Sequence, residues 1–204
     1  MWPFSQTILR PVAHYGLPEV RSARLLLRPL TIGDAAMVFF TIDRNRDEFS
    51  RWFTWSRNAT PSSIHDGLRS AAGQMMDGTD WHYAIFERRS GSFVGRIGIA
   101  DINQKARTAE LGYWLSREHA AQGYMTEAVR AMVLLATERA DDVRINAYAD
   151  VENAGSRRVL EKVGFRRVRT IMGAVNHPER GWRNHEHYQF TPQMIEREDL
   201  YERQ

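Results

Sequence analysis

Glu110-Leu111-Gly112-Tyr113-Trp114-Leu115-Ser116-Arg117-Glu118-His119-Ala120-Ala121-Gln122-Gly123-Tyr124-Met125-Thr126-Glu127-Ala128 is the stretch whose reading decides the fold. Its opening alternates sides and reads as a strand from Thr108 to Leu115. Its close opens a helix that runs from about Met125 to Arg139. Gln122-Gly123 stands between the two. A glycine just before a helix lets successive backbone N–H groups point the same way. Those free groups and the helix dipole together make an anion site, and a pyrophosphate is its natural guest. A glycine before a helix is just as often a simple turn, so the meaning of this loop rests on its flanks.

Working upstream, Arg24 to Pro29 reads as a short strand, and Thr31 with Asp34 makes a capping-box-like start for a helix with Ala35, Val38, Phe39 and Ile42 on its buried face. An aromatic segment from Phe49 to Trp55 follows, then a second helix from Ser62 or Ser63 to about Met76. Trp81 to Arg88 and Phe93 to Ile102 are strands joined by the turn Arg89-Ser90-Gly91-Ser92. Downstream, Arg144 to Ala149 is a strand, and Ala154 to Val163 is a helix stopped at Gly164. Arg166 to Met172 and His185 to Phe190 are two closing strands. A meander of strands followed by strand–helix alternation predicts an α/β protein of the α+β kind. It has a mixed sheet of about seven strands with helices on both faces.

The chain has 204 residues, enough for one domain with a sizeable core. Residues 1–21 carry Pro3, Pro11 and Pro18 with little periodicity and are expected as an N-terminal arm; 22–190 form the domain, and 191–204 form a polar tail that is expected to be helical. There is no apolar run of spanning length and no secretory signal pattern in the first residues, which points to the cytoplasm and away from the membrane. With no cysteine, disulfides, thiolate metal sites and a cysteine nucleophile are excluded. Net charge is +3, and only Lys105 and Lys162 are lysines, so the positive charge is almost all arginine. It is not concentrated enough to indicate direct nucleic-acid binding.

A second block, Asn153-Ala154-Gly155-Ser156-Arg157-Arg158-Val159-Leu160-Glu161-Lys162-Val163-Gly164-Phe165, follows the first at a fixed interval. In this order and spacing the two blocks resemble the GNAT acetyltransferase superfamily. More narrowly they resemble its RimJ/RimL branch, which acetylates the N-termini of ribosomal proteins. Leu27-Arg28-Pro29-Leu30, Arg51-Trp52-Phe53-Thr54-Trp55 and Gly112-Tyr113-Trp114-Leu115 also fit that branch, so the resemblance covers roughly residues 22–190. It implies the GNAT fold, with the fourth of those strands splayed from the fifth, and acetyl-CoA as co-substrate with no metal. The family's pyrophosphate loop, Gln/Arg-x-x-Gly-x-Gly/Ala, falls here on Ala120-Ala121-Gln122-Gly123-Tyr124-Met125. Gly123 matches; Ala120 and Met125 depart, and Met125 adds bulk at a helix start. The resemblance implies coenzyme contacts from Gln122, Gly123, Tyr124, Met125 and Thr126 at the loop. It implies further contacts from Trp114, Leu115 and Ser116 along the splayed strand, as in strand addition to a sheet edge. Asn153 is expected on the pantetheine arm, and it is equally a helix N-cap.

The chemistry needs an amine that has lost its proton and a thiolate that departs. Glu110 is the candidate general base, directly or through water; its other reading is a surface glutamate flanking a strand. The family's tyrosine acid is replaced by Leu160, so Ser156 is the candidate donor to the thiolate; its other reading is a first-turn helix serine. Tyr113 and Tyr124 are alternatives to it, or structural. His119 is a loop histidine within reach of a phosphate. His185 and His187 share a strand face without an obvious third ligand, which points to a substrate-side wall and away from a metal. One ring of Trp52, Phe53 and Trp55 is expected on the acceptor cleft. The acceptor is expected to be a protein N-terminal amine, with a small amine as the alternative. A non-catalytic acetyl-CoA-binding module is the alternative of another class. A monomer and a homodimer both fit the chain.

Overall fold

The structure, a computed structural model, describes residues 16–140 and 142–192. Eight strands form one mixed sheet in the order β1-β2-β3-β4-β5-β6-β8-β7. The sequence pattern predicted seven. The extra one is β1, Val20–Arg21, two residues that pair antiparallel with β2, Leu25–Pro29. So short a strand carries no alternation to read. Leu17 just before it is buried in the core. Residues 1–15 of the expected arm and 193–204 of the expected helical tail lie outside the described residues.

Thr31 does not cap an α-helix directly. A 3-10 turn, Ile32–Asp34, comes first, and α1 spans Ala35–Arg44. The reason lies in Asp34: its carboxylate accepts the Thr31 N–H at 2.8 Å and grips the Arg28 guanidinium, with 2.9 Å to Nη1. A one-turn helix, α2 (Arg46–Phe49), follows, and α3 spans Pro61–Asp77. Thr60 caps α3 by accepting the Ser63 N–H, and Gly78 ends it in the left-handed region at φ 70°. β3 (Trp81–Glu87), β4 (Phe93–Asn103) and β5 (Thr108–Leu115) form an antiparallel meander with β2. After β5 come α4 (Tyr124–Arg139), β6 (Arg144–Asp150) and α5 (Ala154–Val163). The hairpin β7 (Arg166–His177) and β8 (Gly181–Phe190) ends the described chain. Both closing strands are longer than their sequence signal, because the turn at His177–Gly181 is framed by polar residues that do not look like strand.

Strand alternation divides the side chains between two cores. Tyr83, Ile85, Ile97, Ile99, Leu111, Tyr188 and Phe190 pack with Val129, Met132, Val133 and Leu160 of α4 and α5. Ala84 and Trp114 pack on the other face with Leu30, Val38, Ile42, Phe49 and Leu68 of the α1–α3 side. Helices therefore cover both faces, as predicted. Burial at roughly 25 cal/mol per Å² of apolar surface is the main stabilising contribution in both layers.

Candidate functional site

β5 pairs parallel with β6 only at Thr108, Ala109 and Glu110, opposite Arg144, Ile145 and Asn146. Beyond Glu110 the strands part. β6 then keeps only β8 beside it, and residues 111–115 of β5 keep only β4. The wedge between them opens into a cleft of about 1440 Å³. One wall carries Glu110 to Leu115; the other carries Ala147 to Asp150, Asn153 and Ser156; the loop and first turn of α4 close one end. A parallel pair that splits cannot satisfy its own inner backbone groups, so this is where an extended ligand finds hydrogen-bond partners.

The loop end is built by two left-handed residues, Ala121 at φ 59° and Gly123 at φ 79°. Gly123 is the N-cap of the 16-residue helix α4, with no side-chain cap. The first helical bond runs from the Glu127 N–H to the Gly123 carbonyl, 3.1 Å. The N–H groups of Tyr124, Met125 and Thr126 therefore have no helical partner at the dipole's positive end. Arg24, at the other end of the sheet order, holds this loop from behind. Its Nη1 donates to the Gln122 carbonyl at 2.9 Å and its Nε to Glu127 at 2.7 Å, and its guanidinium lies over the Tyr124 ring at 4.5 Å. Met125 is buried at 6% exposure, so the bulk expected at the helix start goes into the core beside Ala128 and Val129.

Of the predicted residues, Glu110, Trp114, Leu115, Gly123, Tyr124, Met125, Thr126, Asn153 and Ser156 all line the cleft. Ser116 and Gln122 do not. Ser116 is fully buried with its Oγ 2.7 Å from His119 Nδ1, and the Gln122 amide donates to the Glu118 carbonyl at 3.0 Å. Both side chains stiffen the loop from within, and His119 is committed to that task. Asn153 caps α5, its Oδ1 accepting the Ser156 N–H at 3.0 Å. Ser156 Oγ meets the Tyr113 hydroxyl at 3.0 Å.

Glu110 stands where the pairing ends. Burial, with the Asp101 charge adding to it, raises its carboxyl above the ordinary carboxylate range. On the same sheet face, Tyr148 and His187 stack at 4.9 Å, and His187 Nε2 is 2.9 Å from Asn146 Oδ1. His185 lines the cleft, as do Phe49, Trp52 and Phe53, while Trp55 stays outside it. Among the described residues no three His, Asp or Glu come together as a metal-binding group.

One element of the site has no local sequence signal. The β7–β8 turn reaches across to the segment after α2. His177 Nε2 donates to the Ser50 carbonyl at 2.6 Å while its Nδ1 accepts the Glu179 N–H at 3.2 Å. Arg180 donates to the Arg51 carbonyl at 2.9 Å and lies 5.5 Å from the Trp52 ring. This strap fixes the aromatic wall over the cleft.

The stretch of sequence that holds the splayed pair and the start of α4 is matched by a family model. The acetyltransferase (GNAT) domain model matches residues 24–166. The chain belongs to the GNAT acetyltransferase family. The Bacillus subtilis protein described as a probable N-acetyltransferase, YjcK, is 31% identical over 72% of this chain and 82% of its own length. The solved structure of RimL, a ribosomal L7/L12 alpha-N-protein acetyltransferase with coenzyme A, shares the fold. Its TM-score is 0.80 at 17% identity, over 87% of this chain and 99% of that one. Mycobacterium smegmatis RimJ, also solved with a coenzyme A form, gives 0.76 at 25% identity over 87% of this chain and 86% of that one. The GNAT resemblance read from the two sequence blocks is thus borne out, and the chain is an N-acetyltransferase. No helix among the described residues is long and apolar enough to cross a membrane.

Proposed function

We propose that this acetyltransferase transfers the acetyl group of acetyl-CoA to the N-terminal α-amine of a protein in the cytoplasm. The observation that carries the reading is the wedge between β5 and β6. An anion-binding helix end closes it on one side, and a carboxylate of raised pKa stands where the strands part. The free N–H groups of Tyr124, Met125 and Thr126, with Gly123, take the pyrophosphate, and Gln122 holds the loop in shape behind them. The unpaired backbone of Trp114 and Leu115 holds the pantetheine arm, with Ser116 beyond it and Asn153 facing it. Glu110 takes the ammonium proton, directly or through one water. Much of the rate comes from holding the freed amine against the thioester. Ser156 donates to the departing sulfur. The α-amine acceptor is supported by the shared fold with RimL and RimJ. The aromatic wall of Phe49, Trp52 and Phe53 suits an extended peptide end.

Labelled acetyl-CoA is incubated with the enzyme and a panel of peptides and small amines, and products are read by mass spectrometry. Label on peptide N-termini alone is the expected outcome. Label on small amines with none on peptides replaces the acceptor. Coenzyme binding without free thiol for any acceptor refutes the transfer itself.

A further inference from the structure

Leu160 stands where the family has its tyrosine acid, and it is buried at 1% exposure. A different tyrosine, Tyr113, lines the cleft and meets α5 there. The Tyr113 hydroxyl, from β5, lies 3.0 Å from Ser156 Oγ and 3.2 Å from the Ser156 carbonyl, both on α5. The bond ties the two walls of the wedge together, and both residues line the cleft.

A tyrosine hydroxyl has a single proton, and here it has two acceptors within reach. With that proton on the Ser156 carbonyl, the Ser156 hydroxyl can donate to the Tyr113 oxygen. With the proton turned onto Ser156 Oγ, the Ser156 proton is free for the cleft. The change is a rotation about two C–O bonds and moves no heavy atom. We propose that Tyr113 is a positioning residue for acetyl transfer: it donates to Ser156 Oγ and so aims the serine O–H at the sulfur of the departing thiolate. The inference rests on the acetyl-CoA reading above.

The step balances as follows. The ammonium proton goes to Glu110 or its water. The amine nitrogen forms its bond to the carbonyl carbon, the C–S bond breaks with its electron pair staying on sulfur, and the nitrogen's second proton passes to water as the amide forms. Burial, opposed by the Ser156 bond, pushes the Tyr113 hydroxyl up to about 12, whereas an ordinary thiol sits near ~8.5. The pair therefore acts as a chain of neutral donors. The thiolate leaves hydrogen-bonded and takes its proton from water afterwards. A hydroxyl that accepts one hydrogen bond donates its own more strongly.

The test compares Tyr113→Phe, Ser156→Ala and the double variant in the full chain, measuring kcat, KM, acetyl-CoA affinity and melting temperature. Ser156→Ala should lower kcat by about a hundredfold, as for loss of a direct donor. Tyr113→Phe should lower kcat by about tenfold, with acetyl-CoA affinity unchanged. The double variant should match Ser156→Ala. Wild-type kcat in Tyr113→Phe overturns the inference. So does a multiplied loss in the double variant, or a kcat loss matched by lost coenzyme affinity, which marks a structural staple. A chain carrying 3-fluorotyrosine at position 113 keeps the side chain's size and guards against misfolding. Its alkaline limb of kcat should move to lower pH, and an unmoved limb overturns the inference. Failure of wild type to bind acetyl-CoA or release thiol would instead sink the proposed function.

Discussion

Gly98 and Gly112 face each other directly in the β4–β5 ladder, yet alanine should affect them in opposite ways. A Cβ on Gly98 would stand 2.6 Å from the Trp81 carbonyl oxygen and 3.2 Å from His82 Nδ1. The imidazole can shift, but the carbonyl belongs to the β3–β4 ladder, so the strands must separate by several tenths of an ångström. Overpacking of that kind costs about 3 kcal/mol. For a chain of this size that lowers the melting temperature by about 6–12 °C. A Cβ on Gly112 meets nothing within 4 Å. There alanine replaces a flexible residue in a strand and gains up to ~1 kcal/mol, or about 0–4 °C. Gly112 lines the cleft on the sheet face of Glu110 and Trp114, so the added methyl should lower kcat/KM for the amine and leave acetyl-CoA affinity unchanged. Thermal melts and steady-state kinetics on Gly98→Ala and Gly112→Ala check both arms. Equal melting shifts, or a Gly112→Ala drop as large as that of Gly98→Ala, would refute the packing reasoning.

Glu110→Gln should lower turnover by about a hundredfold. The wild-type carboxyl is raised by burial and then by Asp101, so the base form is lost as pH falls through that raised value; this acid limb should be missing from the pH profile of the variant. Arg24→Ala should weaken acetyl-CoA binding by about three- to tenfold, because the loop loses its anchor. Its stability effect should stay below ~1 kcal/mol, since the Arg24 side chain is 46% exposed; calorimetry and melts separate the two. His82 is held at about 4, mainly by burial and secondarily by Arg96, whose Nη2 lies 2.8 Å from His82 Nδ1. Its folded pKa is depressed, so the unfolded chain binds the proton first. Stability is full above ~6.5 and falls towards about 4, a loss on the order of 3 kcal/mol that denaturant melts of His82→Gln should largely remove.

Several site features were legible because they depend on neighbours in the chain. The alternation of Thr108–Leu115 and the helix start after Gly123 come back with the same bounds to within a residue. Asn153 as a cap needs only its own helix, and Gly164 at φ 105° ends that helix as expected. Ser116 and Gln122 are the opposite case. Gln122 reads as loop and Ser116 as part of the splayed strand, which ends at Leu115; both side chains turn inward, to Glu118 and His119, a choice made by local packing that spacing does not encode.

The sequence by itself determined the order of the elements, the glycine-led helix start and the pair of blocks that marks the GNAT family. Those signals are periodicity, capping and spacing, all written within a few residues. Only the tertiary structure decided that β5 and β6 part after Glu110. It alone brought Arg24 to the loop, 98 residues away from Gln122, and Tyr113 to Ser156 across 43. It alone laid the β7–β8 turn on Ser50 and Arg51. Each of these contacts joins side chains or backbone groups that are independent along the chain. Their meeting is set by how the sheet twists and which helix face is buried, so no local pattern can announce it.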